Sequence, residues 1–302
     1  MAGTVLITGG NSGIGLEAAR ALARDGWRVL IASRNRAASD AAARDIGGAV
    51  EVLDLDLSEF GSVRALAQSI ESADVPLDAL VCNAGIQFMK GPRLSSEGFE
   101  LTIAANHLGH FLLTNLLLER LGKRAPTRIV VVASGVHDPA MKTGLPHPAI
   151  DDFETLARTG GPKKGEFNGL LAYVNSKLCN VWFAYELARR IDPARITVNA
   201  WEPGLVPGSG LARDYHPALQ FLWHRVAPGL AAAIHPFYPG VSTKRRSGEA
   251  LARMVTDPAL AGVTGKYFPS HTRWSAAASS KESYDAERAR ALWDASVRLT
   301  RL

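Results

Sequence analysis

Short apolar runs alternate with longer amphipathic ones through the first two hundred residues. The runs TVLIT (4–8), WRVLIA (27–32), VEVLDL (50–55), LDALVCN (77–83), RIVVVAS (128–134), ITVNAW (196–201) and, later, GKYFP (265–269) are rich in β-branched residues and largely apolar throughout. Between them, Ala-, Leu- and Arg-rich stretches at roughly 12–22, 36–45, 58–72, 107–121 and 169–190 repeat their apolar positions at helical spacing. Strands that do not alternate with polar residues are buried on both faces, as in a parallel sheet covered by helices. The pattern predicts an α/β fold, a doubly wound parallel sheet of Rossmann type. No internal repeat or low-complexity linker divides the chain, so one domain is expected over residues 1–302.

Two stretches break the rhythm. Residues 135–168 are rich in Gly, Pro, His and Asp, and residues 203–243 in Pro, Gly and aromatics. Each follows the carboxyl end of a predicted strand, where open α/β sheets bind ligands. The first reads as an insert loop and the second as a substrate lid with short helices. Phe221, Trp223, Phe237 and Tyr238 are candidates for an apolar lining of that lid.

Composition narrows the partners more than the fold. The chain is 47% hydrophobic and 21% charged, with a net charge of +5, values of a globular protein. Basic residues are scattered, apart from Lys244–Arg246 and short pairs, and lack aromatic interleaving, which argues against nucleic acid. Lys244–Arg246 reads as a solvated helix start. Cys82 and Cys179 cannot build a disulfide framework and indicate a reducing, cytoplasmic setting. MAGTVLITGG lacks a signal-peptide pattern, and FLLTNLLLERL (111–121) and APGLAAAIHPFYPGV (227–241) are too short or too broken to span a bilayer. No integral membrane segment is expected. His107, His110, His137 and His147 lack acids or thiols at ligand spacing, so no metal is expected.

The first strand runs into TGGNSGIGLEAARAL, with Gly9, Gly13 and Gly15 interleaved by Asn11, Ser12 and Ile14. Glycines there let a backbone approach a pyrophosphate, while the helix start offers N–H donors. Further on, Tyr173 and Lys177 stand four apart, so one helix face would hold both, with Cβ atoms about 5–6 Å apart. Ordinary amphipathic helices carry such pairs too. Read as chemistry, a lysine ammonium in reach of a phenol favours the phenolate and makes it a general acid/base. After the second strand the sequence is Ala32-Ser33-Arg34-Asn35-Arg36, without the acid that would hold a ribose 2′-OH. Arg34 could instead pair with a 2′-phosphate, which points to NADP(H) over NAD(H).

TGGNSGIG resembles the TGxxxGxG signature of the short-chain dehydrogenase/reductase family. The likeness recurs in order at Asp56-Leu57, Asn83-Ala84-Gly85, Asn106, Ser134, Tyr173-x-x-x-Lys177 and Pro203-Gly204, covering nearly the whole chain. The resemblance implies that Asp56 and Leu57 lie around the adenine, with Asn83, Ala84 and Gly85 beneath the ribose. From the residues alone, Asp56 is as readily a helix cap. Family likeness further implies that Ser134 polarises a substrate carbonyl, that Tyr173 moves the proton, that Lys177 also holds the nicotinamide ribose, and that Asn106 joins the lysine through water. Ser134 could otherwise merely end a strand, and Asn106 start a helix. Pro203-Gly204 is followed by Pro207-Gly208-Ser209 where the family commonly places a threonine on the carboxamide, and Ser209 is the candidate substitute.

Within the family, NHLGHFLLTNLLL (106–118), the insert and FNGLLAYVNSKLCN (167–180) are similar to the branch of retinol dehydrogenases, WW-domain oxidoreductase and light-dependent protochlorophyllide reductase. LARDYHP (211–217), VTDPALAGVTGKYF (255–268) and ARALWDASVRL (289–299) extend that likeness. Leu205 stands where the light-dependent enzyme has a reactive cysteine. The expectation is an NADP(H)-dependent oxidoreductase acting on a carbonyl or alcohol of a bulky, largely apolar substrate. Ser134, His137, Tyr173, Glu202 and Leu205 are the candidate substrate contacts. Reduction of an enone-type C=C bond, and a catalytically silent NADP(H)-binding sensor or scaffold, stay open as alternatives. A homodimer through the helices flanking the fifth strand is compatible with the family pattern, as is a monomer.

Overall fold

The computed structural model describes residues 2–163, 166–210, 214, 216–238, 240–270 and 275–302. Seven strands form one parallel sheet in the order β3-β2-β1-β4-β5-β6-β7. They are β1 (Thr4–Thr8), β2 (Arg28–Ser33), β3 (Val50–Asp54), β4 (Ala79–Cys82), β5 (Thr127–Val132), β6 (Ile196–Glu202) and β7 (Lys266–Pro269). The register pairs Leu6 with Leu30 on one side and with Leu80 on the other. Strand order reverses between β1 and β4, which opens a crevice at their carboxyl ends.

Helices α1 (Gly13–Arg24), α2 (Arg36–Ile46) and α3 (Phe60–Ser72) connect the first strands. A long helix, α4, runs over Leu101–Lys123 and contains a π turn at Ala104–Leu108. It is followed by α5 (Phe153–Thr159) and α6 (Gly169–Arg190). The lid holds α7 (Pro217–Phe221), a π turn at Leu222–Val226 and α8 (Ala227–Ile234). Two further helices, α9 (Lys244–Thr256) and α10 (Ala286–Thr300), complete the layers.

Alternate residues of each strand feed opposite cores. Leu6, Leu80 and Ile129 pack with Phe111 of α4 and Trp182 of α6, whereas Val5, Ile7, Val81 and Val130 pack with Leu22 of α1 and Leu251 of α9. Both faces are therefore apolar, which explains the strands' unbroken hydrophobicity. α4 is the one helix among the described residues long and apolar enough to cross a membrane, yet 78% of its apolar window is buried inside the protein. Cys82 and Cys179 are free and buried in this interior.

The lid departs from the expected lining. Phe221, Phe237 and Tyr238 are 62%, 80% and 67% exposed, and none borders the cavity described below. Trp223 instead spends its indole N–H on the Ser209 carbonyl at 3.0 Å. Within LARDYHP, residues 211–213 and 215 lie outside the described residues.

Candidate active site

A cavity of about 430 Å³ opens at the carboxyl end of the sheet. Its walls include Gly9, Asn11, Ser12, Gly13, Ile14 and Gly15, then Arg34, Asp56, Leu57, Asn83, Ala84 and Gly85. Ser134, Tyr173, Lys177, Pro203, Gly204 and Ser209 border the same space. Seven separated stretches of sequence thus meet in one crevice.

The glycine turn fits a dinucleotide. Gly13 has φ +59 and open space where a Cβ would point, so the turn presents bare backbone to the cavity. Ser12 sits at the N-cap of α1 without capping it, and the first turn of that helix carries no acid. The amide end of α1 is therefore available to an anion. Gly15 has a different reason: a Cβ there would meet the Gly9 carbonyl and Asn83 Nδ2 at 2.5 Å. Asn83 Nδ2 in turn donates to the Thr8 carbonyl at 2.8 Å, tying the two loops together.

Thr8, the first residue of the TGGNSGIG stretch though not among the candidate site residues above, organises this junction. Its hydroxyl oxygen accepts from the Asn83 and Ala84 amides at 2.9 and 3.0 Å. It also lies 2.8 Å from His110 Nε2. His110 Nδ1 is 3.1 Å from the Asn106 carbonyl, one turn back on α4. The available signal was a lone hydroxyl at the end of an apolar strand and a His four residues after Asn106. Burial pulls His110 down to about 4 and His107 to about 3, so both rings are neutral near pH 7.

Asn106 occupies the π turn and is fully buried. Its amide accepts from Ile86 N–H at 2.8 Å, donates to the Ile86 carbonyl at 2.9 Å, and donates to Ser176 Oγ at 3.0 Å. Among the described residues no hydrogen bond joins its side chain to Lys177, whose Nζ donates to the Val132 carbonyl. The two are neighbours across Gly85, where a Cβ would lie 3.7 Å from Asn106 Oδ1 and 3.7 Å from Lys177 Nζ.

On α6, Tyr173 and Lys177 share a face as the i, i+4 spacing requires, with Nζ 5.6 Å from the phenol ring centre. Lys177 is 4% exposed, and Nζ donates to the Val132 carbonyl at 3.2 Å. The same carbonyl accepts from Asn180 Nδ2. Burial lowers the Lys177 ammonium from 10.5 to about 8. Ser134, just past β5, begins a short 3-10 turn (Gly135–His137) and stands on the cavity wall.

The remaining expected contacts divide between the cavity wall and its surroundings. Asp56 borders the cavity but also accepts from Ser58 N–H at 2.9 Å and lies 3.8 Å from Arg34 Nη1. Glu59, not Asp56, is the N-cap of α3. His137 is buried away from the cavity: Nδ1 lies 2.6 Å from the Ser134 carbonyl and Nε2 accepts from Ser280 N–H at 3.3 Å. Glu202 is also buried outside the wall, and its Oε1 accepts from Gly204 N–H at 2.6 Å. Leu205 is 54% exposed, its backbone engaged with Gly240 and Ser242. Ser209 borders the cavity with a buried hydroxyl that has no hydrogen-bond partner among the described residues.

The chain has relatives among known proteins. A family description, short chain dehydrogenase, matches residues 3–145. The chain is 36% identical to protochlorophyllide reductase of Chlamydomonas reinhardtii, over 99% of this chain and 78% of that one. It is equally similar, 36%, to WW domain-containing oxidoreductase of Pongo abelii, over 98% of this chain and 67% of that protein. A solved structure of an uncharacterised protein from Mycobacterium Paratuberculosis superposes with a TM-score of 0.72 at 31% identity, covering 99% of this chain and 93% of the other. The chain therefore belongs to the short-chain dehydrogenase/reductase family, in the branch of protochlorophyllide reductases and WW domain-containing oxidoreductase, and is an oxidoreductase built around a nicotinamide cofactor site.

Proposed function

We propose that the protein is an NADP(H)-dependent reductase/dehydrogenase acting on the carbonyl or alcohol of a bulky, largely apolar substrate. One observation carries the reading: Ser134, Tyr173 and Lys177 line the cavity that the glycine turn opens into. When bound, the nicotinamide donates or takes the hydride. Every other task falls to this chain. Ser134 Oγ donates to the substrate oxygen and stabilises the charge that develops there. The Tyr173 hydroxyl gives that oxygen its proton, and Lys177 offsets the resulting phenolate charge. Asn106 holds the Ile86 backbone and Ser176, one residue before the lysine. Ile86 and Val206 supply apolar wall beside these groups.

Arg34 supports NADP(H). It is 48% exposed at the cavity edge, after a strand that ends without an acid. Two free, buried cysteines support a reducing, cytoplasmic setting. The likeness to proteins named protochlorophyllide reductase supports a second reading, reduction of a conjugated C=C bond.

The test is NADPH oxidation against a panel of quinones, aldehydes, steroids, polyketide-like ketones and enones, with product analysis. Alcohol products whose formation ends in Tyr173→Phe support the first reading, and saturated ketones the second. Tight NADPH binding without turnover on any member would favour a sensor or scaffold.

A further inference from the structure

Large apolar side chains face solvent along the lid. Residues 217–234 are helical throughout, passing from α7 through the π turn to α8. Along them Leu219, Leu222, Val226 and Leu230 are 54%, 49%, 51% and 60% exposed. Their spacing of three, four and four places them in one stripe. Phe221, Phe237 and Tyr238 on the same segment are exposed as well. A helix that merely covers its own core turns such a stripe inward. Contiguous outward apolar surface marks an interaction site instead.

The charges beside it have one sign. From residue 216 to 248 the chain has no Asp or Glu but carries Arg225, Lys244, Arg245 and Arg246. Lys244 and Pro228 of α8 both reach the space above Gly208, so the basic start of α9 adjoins the apolar helix. Arg225 and Arg246 are exposed and join no ion pair among the described residues. At Lys244–Arg246 the cations oppose the α9 dipole, with no acid in its first turn. Arg245 is met by Glu249 at 3.1 Å, one turn along α9, which leaves Arg225 and Arg246 to an anion from outside.

We propose that the outer face of the lid docks on an anionic lipid bilayer. The apolar stripe enters the boundary between headgroups and acyl chains, while Arg225, Lys244 and Arg246 meet lipid phosphates. A second copy of the chain is a poorer occupant, because a two-fold contact would press this cationic face against itself. Docking would also bring the cavity mouth to the bilayer. The lid leaves the sheet at Gly204 and returns through Ser242, whose amide bonds Leu205 beside the Pro203-Gly204 wall.

Vesicle co-sedimentation of the full chain tests this without any substrate. Vesicles of an equal mixture of phosphatidylcholine and phosphatidylglycerol should capture the protein, and high salt should release it. Capture by phosphatidylcholine alone should be about tenfold weaker or less. Leu222→Glu with Leu230→Glu, and separately Arg225→Glu with Arg246→Glu, should each lower capture about tenfold or more, with NADPH affinity and melting temperature unchanged. If the leucine pair fails to fold, the exposed arginine pair decides alone. Three results would overturn the proposal: no capture by either vesicle, equal capture by both, or capture that the arginine pair leaves intact. A dimer lost in either pair, without capture by vesicles, would assign the face to a second copy.

Discussion

Lys177 Nζ stands 5.6 Å from the centre of the Tyr173 ring, one turn along the same buried helix, and both side chains border the cavity. A cation held there favours the charged form of a neighbouring phenol. Replacing Tyr173 by Phe removes the proton donor and little volume. Turnover should fall by about 10²–10⁴-fold, while NADPH titration by fluorescence gives wild-type affinity. Unchanged turnover would remove Tyr173 as the acid.

Lys177 also predicts a pH dependence of cofactor binding. Its ammonium is charged below about pH 8 and neutral above, because burial lowers it from 10.5. An anionic ligand favours the charged form, so binding raises the value and affinity is greatest below pH 8. As pH rises past 8, NADPH affinity should decline, by up to tenfold per unit in the limit. Lys177→Met should bind more weakly and show a flat profile between pH 7 and 10. A wild-type profile in that variant would assign the titration to another group.

Arg34 separates the two nicotinamide cofactors. A charge-assisted contact to a 2′-phosphate contributes about 1.5–3 kcal/mol. Arg34→Ala should therefore raise the Michaelis constant for NADPH by roughly ten- to a hundredfold and leave that for NADH nearly unchanged. Equal effects on both would sink the NADP(H) assignment.

His107 and His110 make the fold acid-sensitive. Both are held near 3 and 4 in the folded protein, against 6.5 for an ordinary histidine. Between those values the unfolded chain takes up protons that the folded one does not. Stability is therefore retained above about pH 6.5 and lost as pH falls toward 4, at about 1.4 kcal/mol per pH unit for each histidine. His107→Leu should shallow this loss by about half, read from urea midpoints between pH 4.5 and 7. Its Nδ1 has no hydrogen-bond partner among the described residues, and Ser296, which meets its Nε2 at 2.9 Å, still donates to Leu292. An unaltered slope would place the acid sensitivity elsewhere.

The sequence by itself determined the seven strands and the five helices predicted among its first two hundred residues, since periodicity is a local property. Strand β1 and helix α6 have the predicted bounds, and the glycines, Tyr173 and Lys177 were legible because their spacings carry chemistry. Tertiary structure decided which residues share a space. It joined Thr8 to His110, 102 positions apart, as no spacing rule could. It withdrew His137 into contacts with Ser134 and Ser280, and turned Phe221, Phe237 and Tyr238 outward. The physical reason is that an aromatic or an imidazole is equally at home in a pocket, a core or an interface. Only the packing around it chooses among them.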